Sequence, residues 1–166
     1  DYAKHHEEDA YNHESIRFKY DRPLIVIQAG LAYDNWDANT LREKGLGGSE
    51  TWAIRMAEEM AKLGPRVVVF APTGKDKQVI NGVEWFDQKD YQRFVDMNWI
   101  DTFIVSRYVD FLRRPVRAGK KYLMLHDIFA IPGHGDGRAW VKEVYDSLDG
   151  VFVLSPWHKK LSLIHI

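Results

Sequence analysis

Short, mostly apolar runs recur along the chain, separated by segments with a helical spacing of apolar residues. The clearest runs are LIVIQAG (residues 24–30), RVVVF (66–70), DTFIVS (101–106), KYLMLHD (121–127) and GVFVLS (150–155). Runs of this kind are typical of strands that are buried on both faces of a sheet. A further short strand is predicted at NGVEW (81–85), after the turn-rich sequence APTGKDK.

Helices are predicted between these runs, at residues 49–63, 91–97, 108–113 and 139–148, and from Pro156 onward. In the first of them the apolar residues follow the i, i+3, i+4, i+7, i+8 spacing of one helix face. This face, which we expect to pack on the sheet, consists of Ala53, Met56, Ala57, Met60 and Ala61. The opposite, solvent-facing side is predicted to carry Arg55, Glu58, Glu59 and Lys62.

Regular alternation of strand and helix predicts an α/β fold with a doubly wound, mainly parallel, Rossmann-like sheet. In such sheets ligands bind beyond the carboxyl ends of the strands. The length of 166 residues and the 45% of hydrophobic residues suit one domain with a core of ordinary size, which we place at residues 21–160.

Charge and composition exclude several functional classes. Lys and Arg number 23 against 24 Asp and Glu, so a net charge of −1 gives no general attraction to nucleic acid. Cysteine is missing, which rules out disulfides and thiolate metal sites and fits a reducing compartment. No apolar run approaches the roughly 20 residues that cross a bilayer. We therefore expect a cytoplasmic protein.

Both ends of the sequence differ in character from the middle. Residues 1–20 are polar and without periodicity, which predicts a tail or a linker, and their His5, His6 and His13 lack the supporting groups of an arranged metal site. The closing LSLIHI (161–166) resembles a translated sequencing adapter, so we expect it to be non-native.

Three glycines precede the first long helix in GLGGSETWAIRMAEEMAKLG (45–64). Ser49 is the expected helix cap, and Glu50 falls in the first turn. Unpaired N–H groups and the positive end of the helix dipole attract anions there, and glycine lets a phosphate approach the backbone. An ordinary flexible loop is the alternative. The segment 31–48 exceeds the usual length of structureless loops, which favours a functional role.

The common nucleotide-binding fingerprints do not match this loop. A dinucleotide-binding G-x-G-x-x-G would need glycine where Glu50 stands, and the G-x-x-x-x-G-K-[ST] sequence of a P-loop does not occur. The remaining interpretation is a helix start that faces a phosphate group across a cleft, while other parts of the protein bind the rest of the ligand.

Three segments in order, GLGGSETWAIRMAEEMAKLGPRVVVF, RRPVRAGKKYLMLHDI and DGVFVLSPWHKK, resemble the amino-terminal domain of family-4 (group 1) glycosyltransferases. The resemblance covers residues 23–160. It implies one half of a two-domain GT-B fold, whose carboxyl-terminal donor domain lies outside this chain. It further implies transfer of a sugar from a nucleotide-diphosphate sugar to a saccharide, lipid-linked or protein acceptor, with retention. The resemblance also implies no cofactor beyond the donor itself and no required metal.

The resemblance also assigns candidate residues. Gly47 and Gly48 would approach the donor diphosphate, and His126 would contact the donor sugar near the reacting centre. Asp127 would orient the imidazole or bind an acceptor hydroxyl, unless it caps the next turn. Independently of the resemblance, the long loop contains Tyr33, Trp36 and Asp37, whose side chains could stack on and hydrogen-bond a ligand.

Other polar and aromatic residues have simpler interpretations. His134 and Asp136, in the glycine-rich stretch 128–140, are expected to be solvent-exposed. Pro156 begins a helix, Trp157 is expected to pack in the core or against another domain, and His158 is expected on a solvated face with Lys159 and Lys160. One basic cluster is either plain surface or a contact with anionic lipid or an acidic acceptor, and contact with lipid would make the protein peripheral at a membrane. It consists of Arg113, Arg114, Arg117, Lys120 and Lys121.

Two other functional classes stay open. The chain could be a stand-alone α/β module that binds a small phosphorylated ligand, or, less consistently with the missing fingerprint, a nicotinamide-dependent enzyme.

Overall fold

The computed structural model describes residues 22–30, 32, 34–127 and 137–162, with side chains from 139 to 160 in the last stretch. Within them the chain forms seven strands. These are β1 (Leu24–Gln28), β2 (Arg66–Ala71), β3 (Gln78–Ile80), β4 (Val83–Asp87), β5 (Ile100–Ser106), β6 (Ala118–Met124) and β7 (Gly150–Phe152).

Five α-helices accompany these strands in the described part of the chain. They are α1 (Thr40–Glu43), α2 (Gly48–Lys62), α3 (Tyr91–Met97), α4 (Gly137–Val144) and α5 (Pro156–Ser162). Single 3-10 turns lie at Gln88–Asp90, Val109–Leu112 and Tyr145–Ser147. None of the described helices combines the length and apolar character needed to cross a membrane.

All seven strands belong to one sheet in the order β3-β4-β2-β1-β5-β6-β7. Every neighbouring pair is parallel except β3 with β4, so the prediction of a mainly parallel α/β sheet is confirmed. The strand order reverses at β1, which lies between β2 and β5. In parallel α/β sheets, the carboxyl ends of the strands at such a reversal are the usual ligand-binding position.

Alternating side chains of the central strands build a core on each face of the sheet, because successive residues of a strand point to opposite faces. Helix α2 covers one face, where Ala53, Ile54 and Ala57 pack with Ile27 and Trp85. Helices α3 and α4 cover the other face. The predicted α2 stripe is confirmed at Ala53 and Ala57, and Met56, Met60 and Ala61 pack against the same cluster while partly buried.

Glu58 corrects the predicted solvent face of α2. Its side chain is buried, accepts a hydrogen bond from Asn81 Nδ2 at 2.6 Å and pairs with Arg55 Nη1 at 3.0 Å. Because Asn81 belongs to the turn that follows β3, an element the sequence analysis did not include, helical periodicity alone could not place Glu58 correctly.

The missed strand β3 makes the sheet mixed. It joins β4 through a two-residue turn, in which Asn81 and Gly82 have φ values of 51° and 80°. An Asn-Gly pair suits such a turn because both positions require positive φ. The Asn-Gly signal was therefore present in the sequence, but it was interpreted as the beginning of the next strand.

The segment before α2 lies only partly over the carboxyl edge of the sheet, where the Trp36 N–H donates to the Pro72 carbonyl just beyond β2 and Asp37 pairs with Lys75. It contains α1, and Ala38, Leu41 and Leu46 pack on the α2 side of the sheet. Arg42 of α1 donates a hydrogen bond to Asn81, which lies at the opposite edge from the carboxyl ends of the strands. Burial of apolar side chains on the sheet face accounts for this path.

Some strand ends and helix types also differ from the prediction. Strand β6 covers Ala118–Met124 and not 121–127, β7 ends at Phe152, and the helix predicted at 108–113 is the 3-10 turn Val109–Leu112. Several predictions lie outside the described residues: the tail 1–20 with His5, His6 and His13, the residues Leu31 and Tyr33, the stretch 128–136 with His134 and Asp136, and residues 163–166 of the closing segment.

Candidate functional site

The candidate site lies where β1, β5 and β6 end and α2 begins. Gly47 is the N-cap residue of α2 and Gly48 its first residue, so the prediction that Ser49 caps the helix is wrong. Ser49 lies inside the first turn, where its Oγ donates to Glu50 Oε2 at 3.0 Å. Gly47 already supplies the extended backbone that a cap position needs, with φ −63° and ψ 165°.

The fold itself does not require glycine at position 48. A Cβ atom there would meet nothing within 4 Å, and its φ lies outside the left-handed region. At Gly47 a Cβ atom would meet only the flexible carboxylate of Glu50. The space beside the Gly48 backbone at the start of this 15-residue helix is therefore open, which the approach of an anion would need, although the Glu50 carboxylate lies next to Gly47.

His126 lies two residues beyond the end of β6 and beside the beginning of α2. Its ring packs edge-on against Trp52 of α2, with ring centroids 5.2 Å apart, and its Nε2 lies 2.9 Å from Ser106 Oγ. Burial, and next the nearby Arg107 guanidinium, lower the pKa of His126 below its ordinary value. Both effects favour the neutral imidazole.

Asp127 makes no hydrogen bond to the described His126 ring, and its predicted roles toward the imidazole and an acceptor hydroxyl stay predictions. Its carboxylate pairs with Arg107, whose Nε lies 2.8 Å from Oδ2 and whose Nη2 donates to Oδ1 at 3.3 Å. Arg107 has a φ of 72°, which is uncommon for a residue with a side chain, and its N–H donates to the Met124 carbonyl. A strained residue of this kind beside a candidate site is an observation that points to function.

His158 is buried, which corrects the prediction of a solvated position. Only 4% of the residue is exposed. Its Nδ1 accepts a hydrogen bond from the Leu154 N–H at 3.2 Å, so Nε2 carries the proton and donates to the Asp127 carbonyl at 2.6 Å. Because the first turn of α5 is thereby tied to the chain just beyond β6, His158 holds the backbone next to His126 in place.

Trp36 and Asp37 are occupied by contacts within the fold. Trp36 is 3% exposed and packs edge-on against Trp85 at 5.9 Å. Asp37 accepts hydrogen bonds from the N–H groups of Asn39 and Thr40 and pairs with Lys75 at 2.9 Å. Burial would raise the pKa of Asp37, but these bonds outweigh it and the pKa is lowered. Their contact with a ligand stays a prediction.

The end of β1 is held by a different set of contacts. Gln28, fully buried, exchanges side-chain hydrogen bonds with Gln88 and accepts one from the Gly30 N–H. Gly30 has a φ of 84°, and a Cβ atom there would overlap the Tyr108 ring. The Tyr108 ring therefore packs against the backbone at Gly30, just beyond the end of β1, where the strand order reverses.

The remaining predicted surface features lie away from this site or have partners. Trp157 is 61% exposed and is therefore not part of the core of this domain. In the basic cluster, Arg113 pairs with Glu143 and Lys120 with Asp149. Arg117 and Lys121 line an open cavity of about 460 Å³ near the amino end of β6, opposite His126.

Sequence reasoning missed Ser106, Arg107 and Trp52 as members of the site. Ser106 and Arg107 directly follow the apolar run of β5, so their position at the carboxyl end of a buried strand was a usable signal. Trp52 had no such signal, because only the packing of α2 on the sheet brings it to His126. Among the described residues, no three His, Asp or Glu side chains are placed to hold a metal ion.

Comparisons with protein-family models, curated protein sequences and solved structures find no significant match to this chain.

Proposed function

We propose that this chain is the Rossmann-like amino-terminal domain of a GT-B glycosyltransferase of family 4. In this proposal the sheet is doubly wound, a second domain binds most of a nucleotide-sugar donor, and this domain faces the donor across a cleft. The reaction transfers the sugar to a saccharide, lipid-linked or protein acceptor, with retention.

One observation carries the proposal: the glycine-bearing start of α2 and His126, which are far apart in the sequence, lie side by side through the Trp52 contact. This juxtaposition at the carboxyl edge fits a ligand that combines an anionic group with a polar group to be positioned. A nucleotide-diphosphate sugar has both. We choose this ligand among others of that kind because the three sequence segments resemble family-4 glycosyltransferases.

The described residues have distinct roles in this proposal. Backbone N–H groups at Gly48 and the positive end of the α2 dipole stabilise the negative charge that develops on the departing diphosphate. Neutral His126, fixed against Trp52 and Ser106, makes a hydrogen bond to the donor sugar. Because these groups are preorganised by the sheet edge, they need no rearrangement when charge develops.

The proposal is tested with Gly48→Val and the matched variant Gly45→Val. Neither added side chain meets an atom of this chain near its Cβ position, so both proteins are expected to fold with similar stability. NMR titration with UDP- and GDP-sugars should show binding at the millimolar level, about −4 kcal/mol, for the chain as it stands and for Gly45→Val. Gly48→Val should lose it, because its side chain blocks phosphate approach.

Three outcomes would contradict the proposal. Unchanged donor binding in Gly48→Val would remove the phosphate role of the α2 start. Micromolar binding of a nucleotide sugar or inorganic phosphate by the unaltered chain would favour the stand-alone module, since this domain is expected to hold only part of the donor. Sugar transfer by the chain alone, in a radiolabel assay, would show that a second domain is not needed.

A further inference from the structure

The environment of the His126 ring restricts which nitrogen carries its proton. Ser106, the last residue of β5, is 1% exposed, so water does not reach its hydroxyl. Among the described residues the only hydrogen-bond partner of Ser106 Oγ is His126 Nε2, at 2.9 Å. Strands β5 and β6 are neighbours with Ser106 opposite Met124, which places the residue two positions later within reach of the hydroxyl.

A buried donor without an acceptor is costly, whereas a buried oxygen with one of its two lone pairs unfilled is found more often in proteins. If Nε2 of His126 carried the ring proton, it would donate to Ser106 Oγ and the hydroxyl proton would have no acceptor among the described residues. If Nε2 is unprotonated, the Ser106 hydroxyl donates to it and both groups are satisfied. The second arrangement is therefore favoured.

Asp127, the acidic residue next to His126, does not select the His126 tautomer in this arrangement. A carboxylate often fixes the tautomer of a histidine by accepting its other N–H. Here Asp127 is ion-paired with Arg107, whose Nη2 donates to Oδ1 at 3.3 Å and whose Nε lies 2.8 Å from Oδ2, and among the described residues no hydrogen bond joins its carboxylate to the His126 ring. The Trp52 ring packs edge-on against the imidazole, and its indole N–H is a hydrogen-bond donor and not an acceptor. Ser106 is left as the residue that selects the tautomer.

We infer that Ser106 is a positioning residue. Its hydroxyl donates a hydrogen bond to Nε2 of His126, so that the ring proton is confined to Nδ1. His126 is then a hydrogen-bond donor through Nδ1, and its partner on a ligand is an oxygen with a free lone pair, such as a sugar hydroxyl or a phosphate oxygen. The tautomer follows from the structure alone, whereas the ligand oxygen rests on the proposed function.

The test is the nitrogen-15 NMR spectrum of the histidine rings of the whole chain at pH 7. Two-bond nitrogen-proton correlations distinguish protonated from unprotonated ring nitrogens, and His126→Asn identifies the His126 signals by their loss. We expect a protonated Nδ1 and an unprotonated Nε2 at His126. A protonated Nε2 in the unaltered chain would overturn the inference without any variant.

Ser106→Ala tests the cause of the tautomer. Without the hydroxyl, both His126 nitrogens should move toward the averaged shifts of two exchanging tautomers. The control Ser147→Ala removes a hydroxyl that donates to the Val144 carbonyl at 2.6 Å, and it should leave the His126 signals unchanged. Unchanged His126 shifts in Ser106→Ala would overturn the role of Ser106.

Ser106→Cys covers the case in which the alanine variant does not fold, because a thiol of similar size is a weaker donor. It should weaken the preference for Nδ1 protonation. No sugar nucleotide is present in these experiments, so failure of donor binding leaves their result standing. A wrong tautomer, in turn, leaves the proposed glycosyltransferase function untouched.

Discussion

Replacing Gly30 by alanine should be among the most destabilising single-methyl changes in this protein. Gly30 follows β1 with a φ of 84°, where a residue with a Cβ atom costs about 1–2 kcal/mol. The added methyl would also lie closer than 3.0 Å to the Tyr108 ring, and overpacking of this kind costs about 1–3 kcal/mol. Together these terms lower the free energy of unfolding by about 2–5 kcal/mol.

Urea denaturation measures this loss directly. With a slope of about 2 kcal/mol per molar, the unfolding midpoint of Gly30→Ala should fall by about 1–2.5 M at unchanged slope. Gly45→Ala is the matched control, because its Cβ would meet nothing within 4 Å and its φ is not in the left-handed region. Its midpoint should stay close to that of the unaltered protein.

A double-mutant cycle separates the two causes. In a Tyr108→Ala background the ring is gone, so Gly30→Ala should cost only the backbone term of about 1–2 kcal/mol. The same cost in both backgrounds would refute the steric argument. A change within about 0.5 kcal/mol in the single variant, the range typical of neutral surface substitutions, would refute the whole reasoning.

Two further predictions concern carboxylates that are paired with arginine. Hydrogen bonds from Arg66, and then from Lys77, hold the pKa of Glu84 at about 2, below its ordinary 4.5, so its stabilisation is complete above about pH 4.5 and is lost as pH falls toward 2. Urea titrations should show that Glu84→Gln lowers the unfolding free energy by up to about 3 kcal/mol at pH 7, and by less at pH 3. A difference that stays constant with pH would contradict this prediction. Glu58→Ala should lower the unfolding free energy by about 1–2 kcal/mol, because Asn81 loses its hydrogen-bond acceptor. The control Glu59→Ala, at an exposed position, should change the unfolding free energy by less than about 0.5 kcal/mol. Equal effects of the two variants in thermal unfolding would argue against a structural role for Glu58.

The local pattern of residues was sufficient for most elements of the fold. Apolar runs identified the interior strands, since only a strand covered on both faces is apolar at nearly every position. The helical spacing of apolar residues located α2. The ends of the apolar runs located the carboxyl edge of the sheet, which carries Gly48 and His126. Where the prediction failed, at β3, the Asn-Gly turn signal was present but was assigned to the following strand.

Contacts between distant parts of the chain decided the rest. Glu58 and His158 look like solvent-facing helix residues in the sequence, and each is buried because a polar group from another element lies opposite it. The segment before α2 folds onto the sheet face because its apolar side chains find a core there, which no local spacing expresses.

The candidate site divides in the same way. The sequence by itself determined that a glycine-bearing helix start and a strand-end histidine exist, because glycine and the periodicity of 2 or 3.6 residues are local properties. Only the tertiary structure decided that Trp52 and Ser106 hold His126 from two sides and that Arg107 occupies Asp127. These contacts depend on the register of β5 against β6 and on the packing of α2, both of which are set by the burial of the whole sheet.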